Sequence, residues 1–387
     1  MSAMLPVPSS AAVRRSVVAL NLASALAQIG QFGVGFVVLP VWLAARGLGP
    51  FALGVLGALQ WFGMLLGIRL APVVVARVGA RRGVALGLAL GVAAFALLAR
   101  APGHAWTVAA ALLGIGLGVR WIALEPWLYA LVAPHRRGRI VGLHETLIAL
   151  APIVAPAAAA ATGMRDGWLL ALGGGASLLA LAPLALADVP TPPAPAVSGG
   201  TIDLRALRLA IVIVVGGGVV EGAFTVLVPL LGRSWQLAPP QLVSLLAIFG
   251  VGALILQYPI GWLADHRGCR SSAALAAATA LVCCIALGSG TAPRGPLLFV
   301  LGGALNGFLT LGLIAALAAP GVPPTRAIGT VSMAFTAAAG LGPVLLGAAL
   351  QRLGARALPW LLAGVLALLL AQLLGVREGL RRLHRGA

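Results

Sequence analysis

Five ionisable side chains lie inside long apolar runs of this 387-residue chain: Arg69, Arg120, Glu125, Glu145 and Glu221, with His144 beside them. A charge at the centre of a bilayer costs ~2.5–3.5 kcal/mol even on the lenient insertion scale, so each needs a partner, a proton or a wet cavity. The chemistry open to such a set is proton exchange and ion pairing. Glu221, flanked by Gly216, Gly217, Gly218 and Gly222, reads as a proton-titrating carboxylate whose charge follows its access to water and its occupancy. Arg120 reads either as the counter-ion of that acid or as the anchor for an anionic substrate group, because guanidinium holds carboxylate or phosphate bidentately. A fixed Arg120–Glu221 or Arg120–Glu125 pair that only ties helices together is the structural alternative. His144 can titrate near neutral pH, but its place near a helix end reads as interfacial. Arg69 is assigned nothing beyond snorkelling towards water.

The neutral polar candidates are Asn21, Gln28 and Gln31 near the start of the chain, Gln60, and Asn306 with Thr310. Gln28 and Gln31 share a helix face by their three-residue spacing, as Asn306 and Thr310 do by four. Such side chains either line a substrate cavity or hold helices together. Trp61, Trp121 and Trp127 are deep enough to shape a pocket, whereas Trp42, Trp106, Trp168, Trp235 and Trp360 read as interfacial anchors. Arg120, Gln28, Gln31, Asn306, Thr310 and Trp121 make up the predicted substrate cavity.

The elements that position these groups follow from hydropathy. Hydrophobic residues make up 61% and charged residues 9%, and the mean hydropathy is +1.07; a soluble domain of this size does not carry that surface. Apolar stretches of roughly 20 residues, the length that crosses a ~30 Å hydrocarbon core as helix, recur twelve times. They run over about 16–43, 52–75, 83–99, 105–131, 140–162, 168–187, 208–231, 241–263, 271–289, 296–319, 327–350 and 358–376. By the ~1.5 Å rise per residue, Glu221 lies roughly 20 Å into the seventh run and Arg120 about 22 Å into the fourth, both near mid-membrane. The Pro-rich segment 188–208 reads as an extended cytoplasmic linker. Two halves, 1–187 and 209–387, therefore flank it.

The halves repeat one another at an offset of 189 residues, pairing Pro40 with Pro229, Pro50 with Pro239, Gly63 with Gly252, Gly79 with Gly268 and Arg81 with Arg270. Pro134 with Pro323 and Arg137 with Arg326 continue the register. A hydrophobic chain of two similarly oriented halves has the internal symmetry of a secondary transporter, with the site between the repeats.

The net charge of +18 does not indicate nucleic acid. All 26 basic residues are arginine, scattered at helix ends without an aromatic-interleaved patch. With the N-terminus inside, seventeen arginines fall on the cytoplasmic side and seven outside, which predicts cytoplasmic N- and C-termini. The opening Met-Ser-Ala-Met-Leu-Pro lacks a charged n-region and cleavage site, so the first helix is expected to be retained. Cys269, Cys283 and Cys284 are expected to be free thiols. No Cys/His cluster has metal-ligand spacing and no phosphate-binding loop is present, so no metal, cofactor or ATP is expected. A membrane-embedded enzyme would need a nucleophile with its base, and none is found.

Gly261-x-Leu263-x-Asp265-His266-x-Gly268-x-Arg270 resembles the loop signature of the major facilitator superfamily between its second and third helices, repeated between the eighth and ninth. The first copy, Pro72 to Arg81, is worn: Ala76 stands where the pattern has Asp. Glu125-Pro126-Trp127-Leu128, Arg137-Gly138-Arg139 and Glu221-Gly222-Ala223 resemble the YcaD-like branch. Ala151-Pro152-Ile153-Val154-Ala155-Pro156 is a loose relative of the antiporter Gly-Pro motif. The resemblance implies a central cavity lined by helices 1, 4, 7 and 10, and a latch in which the loop Asp holds one access state. In that reading Gly261 allows a close approach of the helix end and Gly268 a positive-φ turn. Asp265 can accept hydrogen bonds from a helix N-terminus, and Arg270 can pair with acids or lipid phosphates. Glu125, Glu145, Arg137, Arg139, Asp265, Gly261, Gly268, Arg270 and Arg81 form the predicted cytoplasmic gate.

The expectation is an all-α membrane protein: twelve transmembrane helices in two pseudo-symmetric six-helix bundles, monomeric, in the inner membrane. It moves one small molecule by alternating access with protons as the coupling ion, and export of an amphipathic or drug-like compound leads. Uptake of an organic anion or metabolite, resting on Arg120, is the second reading. A transporter-like sensor or assembly protein without flux is the third.

Overall fold

The computed structural model describes residues 10–100, 105–133, 136–189 and 204–385. Among these residues twelve helices are long and apolar enough to cross a membrane. They are α1 (Ser10–Ala45), α2 (Pro50–Val78), α3 (Ala80–Arg100), α4 (Trp106–Ala130), α5 (Gly138–Ala161), α6 (Gly167–Ala185), α7 (Arg208–Ser234), α8 (Pro239–Arg267), α9 (Cys269–Ser289), α10 (Arg294–Leu317), α11 (Arg326–Leu353) and α12 (Ala355–Gly375). Helix is the outcome these sequences require, because hydrocarbon offers backbone N–H and C=O groups no partner outside the segment. All twelve apolar runs read from the sequence are present, with ends shifted by a few residues. Most of the linker predicted over 188–208 lies outside the described residues, as does the side chain of Arg137.

The chain divides into two compact units. The first comprises Met1–Gly35, Gly63–Ala151 and Asp166–Ser198. Its apolar core joins Leu20 of α1, Val84 and Leu88 of α3, Leu124, Trp127 and Leu128 of α4, and Ala180 and Leu184 of α6. The start of the linker is fastened to this core: the Trp127 indole donates to the Val189 carbonyl at 2.9 Å, and Arg15 pairs with Asp188. Trp127 is therefore a core residue with a satisfied N–H, not the pocket wall predicted for it.

The second unit comprises Phe36–Phe62, Pro152–Arg165 and Gly199–Ala387. Here α7 packs along α11 and α8 along α10. The glycines beside Glu221 explain the first pairing: a Cβ added at Gly222 would lie 2.3 Å from the Ala339 carbonyl oxygen. Trp61 sits edge-on to Phe36 (5.4 Å) and to Phe335 (6.2 Å). Within α1 the stretch Ile29–Val38 is wound as π-helix, beginning one residue after Gln28. Widened turns of this kind recur at functional sites.

Candidate functional site

The first unit holds the densest polar chemistry. Arg120 on α4 is 2% exposed. Its Nε donates to Gln31 Oε1 at 2.8 Å, its Nη2 to Gln28 Oε1 at 2.5 Å and its Nη1 to Ser24 Oγ at 3.3 Å. All three acceptors stand on α1, and all are neutral. Gln31 in turn donates to the Gly87 carbonyl of α3 at 2.7 Å, which fixes its amide so that Oε1 faces the guanidinium. Glu125, predicted as one partner of Arg120, does not hydrogen-bond to it. A planar fork of donors is better matched by several oxygens on one helix face than by one acid five residues along its own helix. The three-residue spacing of Gln28 and Gln31 does put both on one face, and the cation is what they meet. Ser24 completes the set and was missed, although Asn21, Ser24, Gln28 and Gln31 follow one another at three, four and three residues.

The far end of that stripe meets a second cluster. His144 of α5 is fully buried, not interfacial as predicted. Its Nδ1 lies 3.1 Å from Asn21 Oδ1, and its Nε2 lies 3.6 Å from Glu125 Oε1 of α4. The Tyr129 ring stands edge-on to the imidazole at 6.0 Å, and its hydroxyl donates to Glu145 Oε1 at 3.5 Å. The acids assigned to a gate with loop arginines thus find partners on neighbouring helices. Arg139 is exposed and makes no hydrogen bond or ion pair among the described residues.

In the second unit Glu221 of α7 is half-buried. Its Oε2 is enclosed and, among the described residues, has no hydrogen-bond partner. Thr310 of α10 meets Gln257 of α8 at 3.5 Å, a partner not anticipated from the sequence. Asn306 is half-buried on α10, four residues away, and Trp121 is half-buried on α4 beside Arg120.

The loop motif meets its predicted turn at Gly268 and differs at its other positions. Gly268 has φ +78°, the turn only glycine adopts freely. A Cβ added at Gly261 would meet nothing within 4 Å, so no close approach requires that glycine. Asp265 is exposed and makes no hydrogen bond among the described residues. Arg270 donates from Nε to the Leu373 carbonyl of α12 at 2.6 Å, and Arg81 from Nη2 to the Ala185 carbonyl of α6 at 2.8 Å. Arg81 thus caps the C-terminal end of the sixth helix, where a cation complements the exposed carbonyls, whereas Arg270 reaches a carbonyl within the last helix, which runs on to Arg385.

Twelve spans, a two-fold sequence repeat, a buried cation on the fourth helix and an enclosed carboxylate oxygen on the seventh define a secondary transporter. The model of the Major Facilitator Superfamily matches residues 20–320 and 209–385, and the chain belongs to that family. It is 24% identical over 272 residues to the uncharacterised MFS-type transporter YcaD of Escherichia coli O45:K1 (strain S88), covering 69% of this chain and 71% of YcaD. The fold is shared with a D-xylose–proton symporter at TM-score 0.73 and 15% identity, over 93% of this chain and 97% of that one. A nucleoside transporter, NupG, matches at TM-score 0.72 and 14% identity over 93% and 98%. A peptide transporter, POT, matches at 0.74 and 17% over 95% of both chains.

Proposed function

We propose that this protein is a proton-coupled exporter of a small amphipathic molecule that carries a positive charge, working by alternating access in the bacterial inner membrane with both termini in the cytoplasm. The observation that carries the reading is Glu221, a membrane-embedded acid whose enclosed Oε2 has no donor beside it among the described residues. An enclosed carboxylate keeps its charge only with a cation or donors at hand. Glu221 therefore binds a proton in one state and the cationic group of a substrate in another. One carboxylate that serves the two in turn gives antiport, and the inward proton gradient then drives the compound out. A structural neighbour carries the name of a proton symporter, in line with proton coupling on this fold. Organic-anion uptake loses its main support, because the Arg120 guanidinium is already taken up by Gln28, Gln31 and Ser24.

The test is a pH measurement in weakly buffered detergent solution as a lipophilic aromatic cation is added to the parent and to Glu221→Gln. Proton release on binding in the parent that disappears in the variant is expected. Equal release in both would move coupling away from Glu221. Binding of an organic anion in place of the cation would overturn the substrate class.

A further inference from the structure

We infer that His144 and Glu125 form a second proton-holding site, in the first unit, in which one proton is shared between His144 Nε2 and Glu125 Oε1. It follows from the two contacts of the ring, a hydrogen bond at Nδ1 and an ion-pair contact at Nε2. Asn21 donates from Nδ2 to the Val17 carbonyl of its own helix at 2.8 Å. That bond fixes the orientation of the amide, so the atom facing His144 is Oδ1, an acceptor only. The imidazole nitrogen 3.1 Å from it, Nδ1, must therefore carry a hydrogen. In the neutral ring the lone pair is then on Nε2, which faces Glu125 Oε1 at 3.6 Å. A lone pair and a carboxylate oxygen repel at that distance unless a proton lies between them. Either the ring is charged and the carboxylate ionised, or the ring is neutral and the acid protonated; both forms hold the same single proton.

The surroundings favour a titrating site over a passive tie. The His144 side chain is 1% exposed and that of Glu125 20%, so the proton has an outlet on the carboxylate side only. Nε2 has no hydrogen-bond partner among the described residues, and Glu125 Oε1 stands at ion-pair distance from it. The groups that face the pair are few: from α1 the neutral Asn21, and from α4 the Tyr129 ring and hydroxyl. Glu145 adjoins His144 on its own helix, and Arg120 lies five residues before Glu125 on α4. The charges of Arg120 and of Glu145 both act on Glu125. The polar stripe of α1 joins the two ends of this arrangement, Asn21 at the pair and Ser24, Gln28 and Gln31 at Arg120. A change of charge on Glu125 is thereby placed next to the helix that carries the clamp of Arg120. The site stands on its own geometry and does not depend on the role of Glu221.

The experiment uses the full chain in lipid nanodiscs, labelled with ¹⁵N-histidine, with His104, His135, His266 and His384 replaced by Gln so that His144 gives the only imidazole signal. The expected spectrum keeps Nδ1 protonated at every pH at which the protein is folded. Glu125→Gln is expected to move the Nε2 titration midpoint by about one pH unit or more, the size of shift that marks two groups sharing a proton. Glu145→Gln, which leaves the pair intact, moves it less. An unmoved midpoint in folded Glu125→Gln overturns the proposal. Should that variant fail to fold, the parent decides: a neutral ring with the hydrogen on Nε2 and a bare Nδ1 overturns the inference as surely.

Discussion

At the scale of single residues, Arg120 shows how an apolar helix bundle tolerates a charge. Three neutral oxygens from one neighbouring helix replace the hydration shell. A buried guanidinium that loses such partners carries most of the desolvation penalty alone. The double change Gln28→Ala with Gln31→Ala is therefore expected to destabilise the first unit by about 1–3 kcal/mol per lost acceptor, read as a lower thermal midpoint in detergent. The two single changes will not add, because both amides serve one cation; a strictly additive pair would mean that the clamp is not a unit. Changing Asn306 or Thr310, which belong to α10 of the second unit, should leave that midpoint within about 0.5 kcal/mol of the parent.

At the scale of elements, three glycines separate two physical reasons for having no side chain from a position that has neither. At Gly222 the obstacle is the backbone of α11, since a Cβ would lie 2.3 Å from the Ala339 carbonyl oxygen. Gly222→Ala must push α7 and α11 apart, at about 1–3 kcal/mol, the range for overpacking. At Gly268 the obstacle is the turn itself, φ +78° with ψ 150°, and Gly268→Ala is expected to cost about 1–3 kcal/mol, the penalty of a backbone region essentially restricted to glycine. At Gly261 nothing stands within 4 Å, and Gly261→Ala should be neutral or slightly stabilising in its helix. Thermal unfolding of the three variants in one detergent orders them, and a destabilised Gly261→Ala would break the scheme. The loop motif was legible as a pattern because Gly, Asp and Arg at fixed spacing are rare in an apolar chain. Its roles were less legible. Which carbonyl Arg81 or Arg270 reaches depends on how the third and sixth helices of a repeat pack, and no local spacing encodes that. For the same reason His144 could be placed near a helix end but not inside a core: its neighbours Asn21 and Glu125 come from two other helices.

At the scale of the whole molecule, the twelve spans and the 189-residue repeat were readable because membrane length and rare-residue matches survive a low-complexity background. The division into compact units was not, since residues 36–62 and 152–165 pack with the second unit through close contacts that have no hydropathy signal. A Cβ at Gly54 would lie 2.4 Å from the Pro343 carbonyl oxygen, and one at Gly57 would lie 2.8 Å from Val226 Cγ2. Arg233 donates to the carbonyl of Ala44 at 2.9 Å, a residue 189 positions earlier and so its own repeat mate. Under the alternating access proposed above, these contacts between helices of different repeats must part in one state and re-form in the other. Bulk at Gly54 then biases the equilibrium towards the parted state, since overpacking in the closed one costs about 1–3 kcal/mol, enough to shift populations about 5- to 150-fold. Val226 is 1% exposed and serves as the reporter. In a chain carrying Cys269→Ala, Cys283→Ala, Cys284→Ala and Val226→Cys, a membrane-impermeant maleimide should label slowly. Adding Gly54→Leu should raise the labelling rate at least several-fold while the protein remains folded. Equal rates in a folded Gly54→Leu chain would mean that this contact does not open, and the rocking of the repeats would have to proceed around a fixed hinge at residues 36–62.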